Sequence, residues 1–438
     1  MGALSERNNL TWRCIIAIAD AAQALASEQE YVRPELENYV LQQSVLLKEI
    51  QKSKIKAVSD RPSRIPTMPS LGGKPRVGNM NGADLGIGSG PTQVPGQITP
   101  VCYIDAFSYS KQAEYATDSD EKAIENFATL TRTLAPERFA DFLETVLQGD
   151  GSNTIDTVVA LQTTGGNITG INVNSANLFL DDQDLDVWTS IGGTFVTTIT
   201  VQDSDISSNV IWLLNPVPTG TITAGMKLLV SGSSGQANTG LNGLRYYQVG
   251  TNTGNWLTVQ RSAWNGKYIA QTQAVNGALT PQIVRAIHSQ IQLAMGKKKA
   301  DADDLVAHAT VNEQNAWEQN ALLVQHINMS ELKGSESEDM LKREASTTIG
   351  GRRFLINERA VPGYIDFLAL KNASMVETKS IDFYDVGGQT LFGLVGASGG
   401  QASGLVFYMV AEMNLVWVQT RMNAFLSGIA IEKGLYGQ

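Results

Sequence analysis

The chain has 438 residues, of which 42% are hydrophobic and 17% are charged, and its formal net charge at pH 7 is −10. These values are typical of a globular protein with room for two or three domains, and they exclude a disordered chain. No run of basic residues extends beyond Lys297, Lys298 and Lys299. A dedicated nucleic-acid-binding protein normally carries a basic stripe, so that class is also disfavoured.

The sequence predicts a soluble protein that is made and used in a reducing cytoplasm, without a membrane partner. It contains only two cysteines, Cys14 and Cys102, which is neither a disulfide framework nor a zinc site. Both lie in helical or strand patterns without a nearby histidine, and we expect buried, unreactive thiols. The apolar stretch 14–19 is too short for a signal peptide, and 405–418 is too short for a membrane span.

Residues 1–57 form a helical segment by their apolar spacing, and residues 58–100 differ sharply in composition. The second stretch contains seven prolines and no aromatic residue, so it cannot bury a core of its own. It is either a flexible linker or an extended arm that is stabilised on another surface. The strand-like run Val101–Tyr109 follows it and favours a docked arm, and we therefore group 58–117 as an arm and extended loop. The helical segment packs either on its own domain or on neighbouring subunits.

A long helix is predicted over 118–147, within a domain that spans 118–166. Asp118 and Glu121 have capping-box spacing at its start, and Gly149 is a fitting end. Pro136 should kink the helix or divide it in two.

Residues 167–238 read as a small all-β inserted domain, and residues 239–400 read as an α/β domain. Strands are predicted at 194–201, 210–214 and 226–230. A helix should begin at Pro281, with Thr280 as its cap, and a second helix should be capped by Asn312. Strands are further predicted at 305–311, 350–356 and 363–370, and the C-terminal region 401–438 supplies two more, 404–420 and 425–431.

No pattern of catalytic, cofactor-binding or metal-binding residues is present. The histidines His288, His308 and His326 have no partner at metal-ligand spacing. The alternating aspartates 182, 184 and 186 resemble the start of a calcium loop, but Val187 and Gly193 occupy positions where Gly and Glu are needed. We interpret them as a solvated acidic turn, with a calcium loop as the alternative.

The order of these parts resembles the major capsid proteins of tailed double-stranded DNA bacteriophages, which have the Hong Kong 97 (HK-97-like) capsid fold. Three local phrases are similar as well: residues 103–106 before the long helix, residues 280–308, and residues 408–428. The resemblance covers most of the chain from about residue 60, and its strength lies in the order of the parts.

The resemblance implies an α+β fold with N-terminal helices, an extended arm or E-loop, and a long spine helix in a peripheral domain. It also implies an axial α/β domain, the inserted β domain, and C-terminal strands that return to the peripheral domain. The implied function is a non-enzymatic shell protein of the virion, assembled in the host cytoplasm. A container whose inner wall faces double-stranded DNA needs no sequence-specific binding, which agrees with the charge.

The implied partners are other copies of the chain, in hexamers and pentamers, together with portal, decoration or scaffolding proteins. In the family the extended loop, here about 66–116, lies over the adjacent subunit, so Lys74, Arg76 and Lys111 become candidate intersubunit contacts. Two alternatives stay open: an encapsulin-like nanocompartment shell, which normally lacks the helical segment and the inserted domain, and an enzyme with a β-rich accessory domain.

Overall fold

The computed structural model describes residues 44–50, 54–56, 62–76, 87–116, 127–264, 266–296, 305–326, 348–395 and 401–430. The chain divides into two compact units. The described part of the first unit comprises Cys102–Ala140 and Lys379–Ala411; the second unit comprises Gln43–Val101, Asp141–Thr378 and Glu412–Gln438. The helices predicted before residue 44 lie outside the described residues.

Six helices are described, numbered in chain order: α1 (Val45–Ile50), α2 (Lys111–Ala116), α3 (Phe127–Leu147), α4 (Leu244–Tyr247), α5 (Pro281–Met295) and α6 (Val311–His326). None of them is long and apolar enough to cross a lipid bilayer. The described strands are β1 (Lys54–Lys56), β2 (Ser63–Ser70), β3 (Thr92–Ile98), β4 (Val101–Ser110), β5 (Thr154–Thr157), β6 (Ala160–Thr164), β7 (Asn167–Asn172), β8 (Asp184–Trp188), β9 (Phe195–Asp205), β10 (Val210–Pro218), β11 (Lys227–Val230), β12 (Asn255–Trp256), β13 (Val259–Gln260), β14 (Gln271–Gly277), β15 (Leu305–Ala309), β16 (Thr348–Ile349), β17 (Arg352–Ile356), β18 (Tyr364–Ala369), β19 (Ala373–Phe383), β20 (Phe392–Val395), β21 (Gln401–Trp417) and β22 (Ala424–Ile429).

The first unit is built on strands with aromatic side chains. β20 pairs antiparallel with β21, and β4 pairs with β21 as well. The rings of Phe107 and Phe407 stack with their centroids 5.2 Å apart, and the Arg132 guanidinium lies 5.4 Å from the ring centre of Phe383. The predicted strand at residues 101–109 is confirmed as β4, whose aromatic and β-branched residues suit a pleated, half-buried surface.

Helix α3 runs without a break from Phe127 to Leu147, so the predicted division at Pro136 is wrong. The predicted cap at Asp118 lies outside the described residues. A proline removes one backbone donor from the helix. The neighbouring side chains Ala135 and Phe139 are fully buried, and their burial offsets that loss.

A seven-stranded sheet uses residues 154–230 of the second unit, in the order β5-β11-β8-β9-β10-β7-β6. It has its own apolar core, formed by the inward side chains of successive strands: Ile168, Ile171, Leu185, Val187, Ile199, Val201, Ile211, Leu213 and Leu228. The strands predicted at 194–201, 210–214 and 226–230 correspond to β9, β10 and β11. The alternating β-branched residues between turn-forming residues are enough to predict these three strands.

A six-stranded mixed sheet forms the other large layer of the second unit, in the order β14-β22-β18-β15-β17-β16. Helix α5 packs on it through Val284, Ile287 and Ile291, which are spaced at one helical turn. The helix begins after Thr280 and ends at Gly296, as predicted, and Gly296 has φ 86°, a conformation that favours glycine.

Two local predictions in the second unit are wrong. Residues 54–56 form strand β1, which pairs in parallel with β19, whereas the apolar spacing predicts a helical segment through residue 57. Helix α6 begins at Val311 and is capped by Thr310, not by Asn312. The Thr310 side chain accepts the amide of Asn312 at 3.2 Å, and Glu313 accepts the amide of Thr310 at 3.1 Å, which is a capping box.

Candidate assembly surface

Two strands on either side of residues 77–86, which lie outside the described residues, pair as a two-stranded ribbon that is called the hairpin below. Strands β2 and β3 pair antiparallel, with Thr67 opposite Val94 and Pro66 opposite Pro95. In a two-stranded ribbon each strand keeps an open edge, where a proline loses no ladder hydrogen bond. The flexible-linker alternative is therefore wrong for the two strands, because their prolines are compatible with a paired ribbon.

The base of the hairpin is anchored on the second unit of its own chain. Ile65 and Ile98 are buried, and the Thr67 hydroxyl lies 2.7 Å from the hydroxyl of Tyr268. The backbone amide of Gln97 donates to the Thr258 hydroxyl at 3.2 Å. The expectation that the whole stretch is stabilised on another copy is therefore corrected for the base.

Gly96 allows the close approach at this anchor. A Cβ atom placed on Gly96 would lie 2.7 Å from a ring atom of Trp256 and 2.7 Å from a methyl carbon of Leu257. Gly96→Ala should therefore push the base of the hairpin off this surface and destabilise the fold by about 1–3 kcal/mol. A lower midpoint in chemical unfolding, monitored by tryptophan fluorescence, would show the loss. Gly90→Ala is the matched control, because its Cβ would meet nothing within 4 Å; equal midpoints for the two variants would contradict the prediction.

The far end of the described hairpin is exposed and apolar. Met68 is 53% exposed, Leu71 76% and Ile87 90%; these three residues are called the tip surface below. Gly72 and Gly73 have φ 80° and 87°, and the Gly73 amide donates to the Ser89 carbonyl at 2.8 Å, so the two arms are still paired here. Large aliphatic side chains held outward on a paired ribbon are typical of a contact surface.

The three predicted contact residues are placed differently. Lys74 and Arg76 are exposed and lie on the hairpin in the second unit. Lys111 lies on α2 in the first unit, where its ammonium group contacts both carboxylate oxygens of Glu114 at 2.8 Å. The hydrogen bond with Glu114 raises the pKa of Lys111. Lys111 thus has a partner within its own helix, and Lys74 and Arg76 follow Leu71 of the tip surface closely in sequence.

A buried ion pair joins α3 to the loop after β17. The Arg359 guanidinium contacts the Asp141 carboxylate at 2.6 Å, and both side chains are nearly inaccessible. Arg359 also donates to the backbone carbonyls of Asn177 and Phe179, at 2.6 Å and 3.0 Å. Sequence inspection missed this pair because 218 residues separate the two side chains and no local motif marks either one.

A second buried polar cluster extends from Glu144 through Asn357 and His308 to Asp366 and Arg245. Asn357 contacts the Glu144 carboxylate at 2.5 Å and the His308 ring at 2.9 Å. His308 lies 3.4 Å from Asp366, which pairs with Arg245 at 2.8 Å. Burial raises the pKa of Asp366, but the Arg245 charge and the His308 hydrogen bond bring it below its ordinary value.

Among the described residues, the aspartates and the cysteine that the sequence analysis considered do not form a metal-binding site. Asp184 and Asp186 lie on β8 and accept hydrogen bonds from Thr200 and Thr198 of β9, at 2.6 Å and 2.7 Å, so they are strand residues and not part of an acidic turn. Cys102 is exposed on β4, which corrects the expected burial, and Cys14 lies outside the described residues. Within the described ranges no group of three His, Cys, Asp or Glu side chains could hold a metal ion.

His308 is a buried residue of β15, and His288 is half-buried on α5, which packs on the same six-stranded sheet. The His288 ring packs edge-on against Phe367 at 5.0 Å, and burial lowers its pKa. The side chain of His326 lies outside the described residues. The two described histidines thus pack against the sheet or join a hydrogen-bond network within it.

The fold that these layers form is the Hong Kong 97 type capsid fold, as the sequence resemblance implied, and it belongs to the α+β class. No family model and no curated protein matches the chain. The capsid asymmetric unit of cyanophage A-1(L) is similar in structure, with a TM-score of 0.52 and 12% identity, over 92% of this chain and 97% of the other.

Two further solved structures align over almost their whole length. They are the capsid of a native GTA particle, at 12% identity and a TM-score of 0.49, and the SrpI encapsulin of Synechococcus elongatus, at 8% identity and a TM-score of 0.45. The alignments cover 93% and 95% of this chain and 99% and 98% of the two others. At these identities the likeness concerns the fold, and the assignment rests on the cyanophage comparison.

Proposed function

We propose that this chain is the major capsid protein of a tailed bacteriophage, a structural protein whose copies assemble into the icosahedral shell around double-stranded DNA. The observation that carries the proposal is a capsid fold that presents the exposed tip surface on a hairpin whose base is anchored on its own chain. A capsid fold supplies the heterologous contacts that close by rotation. The tip surface supplies apolar area that has no cover on its own hairpin.

The proposal assigns a role in the shell to each part of the chain. The hairpin and the following strand β4 act as the extended loop, and α3 acts as the spine of a peripheral domain. The six-stranded sheet with α5 and α6 belongs to the axial domain, and the seven-stranded sheet is the inserted domain. Copies form hexamers and pentamers in the virion shell, assembled in the host cytoplasm, with portal, decoration or scaffolding proteins as further partners.

Electron microscopy of the purified protein tests the proposal directly. We expect closed shells in negative stain, and nuclease-resistant double-stranded DNA inside shells recovered from infected cells. Shells that contain a cargo protein instead of DNA would favour the encapsulin-like alternative. The seven-stranded module and the N-terminal segment favour the phage protein, since a nanocompartment shell normally lacks both. A monomer at high concentration would contradict any shell function.

Assembly should depend on ionic strength, because exposed cations lie next to the tip surface in sequence. Lys74 and Arg76 belong to the hairpin of a chain whose net charge is −10, so they meet acidic neighbours in a shell. Interactions between solvent-exposed charges are screened by salt, with a Debye length of about 8–10 Å near physiological ionic strength. We expect the assembly rate, followed by light scattering, to fall as salt rises from about 50 to about 500 mM, because the Debye length shortens from roughly 14 to roughly 4 Å. Lys74→Gln with Arg76→Gln should flatten this response; an unchanged response would remove the electrostatic contribution.

A further inference from the structure

A cleft in the second unit lies where the end of α3 meets strand β5, and it is called the α3 cleft below. Its volume is about 290 Å³, at the lower end of the range for small-molecule sites. Part of its wall is apolar and is formed by the side chains of Ile155, Leu178, Val361 and Tyr364. A wall of this kind can cover a short alkyl chain.

Two carboxylates line the α3 cleft, and one of them has an oxygen to spare. Asp156 on β5 uses both oxygens, which accept N–H groups of residues 157, 174 and 175. Asp150, just after α3, is exposed, and its Oδ1 atom accepts the amide and the hydroxyl of Ser152 at 3.0 Å and 2.5 Å. Its Oδ2 atom has no hydrogen-bond partner among the described residues. The open acceptor at the cleft is therefore Asp150 Oδ2.

The cations near the α3 cleft do not neutralise these carboxylates. The Arg245 guanidinium lines the cleft, but it is paired with Asp366 at 2.8 Å. The Lys227 ammonium group donates to the Thr157 hydroxyl at 2.6 Å and forms no ion pair within the described ranges. Three carboxylates against two cations leave one negative charge in excess, so a bound group should be positively charged.

A buried amide inside the α3 cleft lacks a donor. Gln148 is only 3% exposed, and its Nε2 atom donates to the Glu144 carbonyl at 3.4 Å. Its Oε1 atom is buried and has no partner in the part of the chain that the structure describes. A buried acceptor without a donor costs free energy. The terminal torsion of a glutamine is soft, so Oε1 can turn toward an N–H group in the cleft.

We propose that the α3 cleft binds a primary alkylammonium group, which donates to Asp150 and Gln148 and lays its alkyl chain along the apolar wall. An ammonium group brings three donors and one positive charge, which match the two open acceptors and the excess negative charge. Its methylene groups bury against apolar surface while the charged end stays at the polar side. Two sources share this chemistry: a lysine side chain of a second copy and a free diamine. The site does not depend on the proposed function, and only the choice between the two sources rests on it.

Calorimetric titration of the full-length subunit, kept below the assembly concentration, tests the site with n-butylammonium as the probe. At constant ionic strength we expect saturable binding. Tetramethylammonium, which has no N–H donor, and n-butanol, which has no charge, should each bind at least about tenfold more weakly. Absence of saturable binding, or equal affinity for tetramethylammonium, would overturn the proposal.

Variants place the binding in the α3 cleft. Asp150→Asn keeps the Oδ1 acceptor for Ser152 and removes the charge, and Gln148→Leu removes the buried acceptor; each should weaken n-butylammonium binding by about tenfold or more. Asp203→Asn is the matched control, because Asp203 is exposed on β9 outside the cleft, and it should keep the wild-type affinity. Wild-type affinity in both cleft variants, or an equal loss in the control, would refute the site.

Titration of assembled shells distinguishes the two sources. If a lysine of a second copy fills the cleft, shells should lose the n-butylammonium binding that free subunits show. If the natural occupant is a free diamine, shells and subunits should bind the probe with equal affinity, and 1,4-diaminobutane should compete for it. A chain that forms no shells would contradict the proposed function, whereas the subunit titration would still decide whether the site exists.

Discussion

Replacing Leu71 and Ile87 together by aspartate should abolish shell formation and leave the subunit folded. The two side chains are 76% and 90% exposed in the chain itself, so the substitutions remove almost no internal packing. In a shell, each would lose burial worth about 1.5–3 kcal/mol and would place a charge in an apolar contact. Because the same contact recurs in every copy, the loss is multiplied over the particle. Negative-stain microscopy and light scattering report the particles, and thermal unfolding reports the subunit.

A control for this experiment comes from the seven-stranded sheet. Ile206 is 57% exposed in the turn between β9 and β10, and Ile206→Asp adds one such charge away from the hairpin, against two in the hairpin variant. We expect shells from this variant and none from the Leu71→Asp, Ile87→Asp protein. Normal particles from the hairpin variant would refute the role of the tip surface, and a lowered thermal midpoint would show that the hairpin serves the fold instead.

Arg359→Met should lower the free energy of unfolding by about 3–5 kcal/mol, the largest stability effect that we expect from a single substitution in the described residues. The change leaves the Asp141 carboxylate buried without its cation, and it removes the donors to the carbonyls of Asn177 and Phe179. Chemical unfolding of subunits kept below the assembly concentration measures the difference.

Two further variants identify the cause. Arg353→Met removes a cation that is 47% exposed and lies 3.8 Å from Glu49, so it should cost less than about 1 kcal/mol. Adding Asp141→Leu to Arg359→Met removes the stranded charge and should recover part of the lost stability. If Arg359→Met and Arg353→Met unfold at the same midpoint, the buried pair does not contribute as its geometry indicates.

The parts of the fold that could be predicted are those with a strong local pattern. Helix α5 combines a capping threonine, a proline in its first turn and isoleucines on one face, and β4 is rich in aromatic and β-branched residues. Strand β19 was missed because Glu377 and Lys379 interrupt its apolar pattern. The side chain of Glu377 is nevertheless buried. The burial of a charged residue within a strand depends on tertiary packing, which the local sequence does not indicate.

The candidate surface was predictable in its location and not in its form. Prolines and glycines at 62–96 marked an unusual segment, but composition does not reveal that Pro66 would pair opposite Pro95. The hydrogen bond from the Leu46 amide to the Glu144 carboxylate has no sequence signal, because the two residues are 98 positions apart and a capping box has a spacing of three. Contacts between residues this far apart in sequence depend on how the helices and sheets pack together, and local sequence patterns do not encode that packing.

Strand β22 lies between β14 and β18, and thus inside the six-stranded sheet although it is the last described strand. Its register places Ala424 beside Gln271 on one side and Phe367 on the other. During synthesis the N-terminal parts emerge first, so β14 and β18 remain unpaired along these edges until β22 has left the ribosome. Only chains extended through β22 can complete the sheet, and shorter products should be selected against before they can enter a particle.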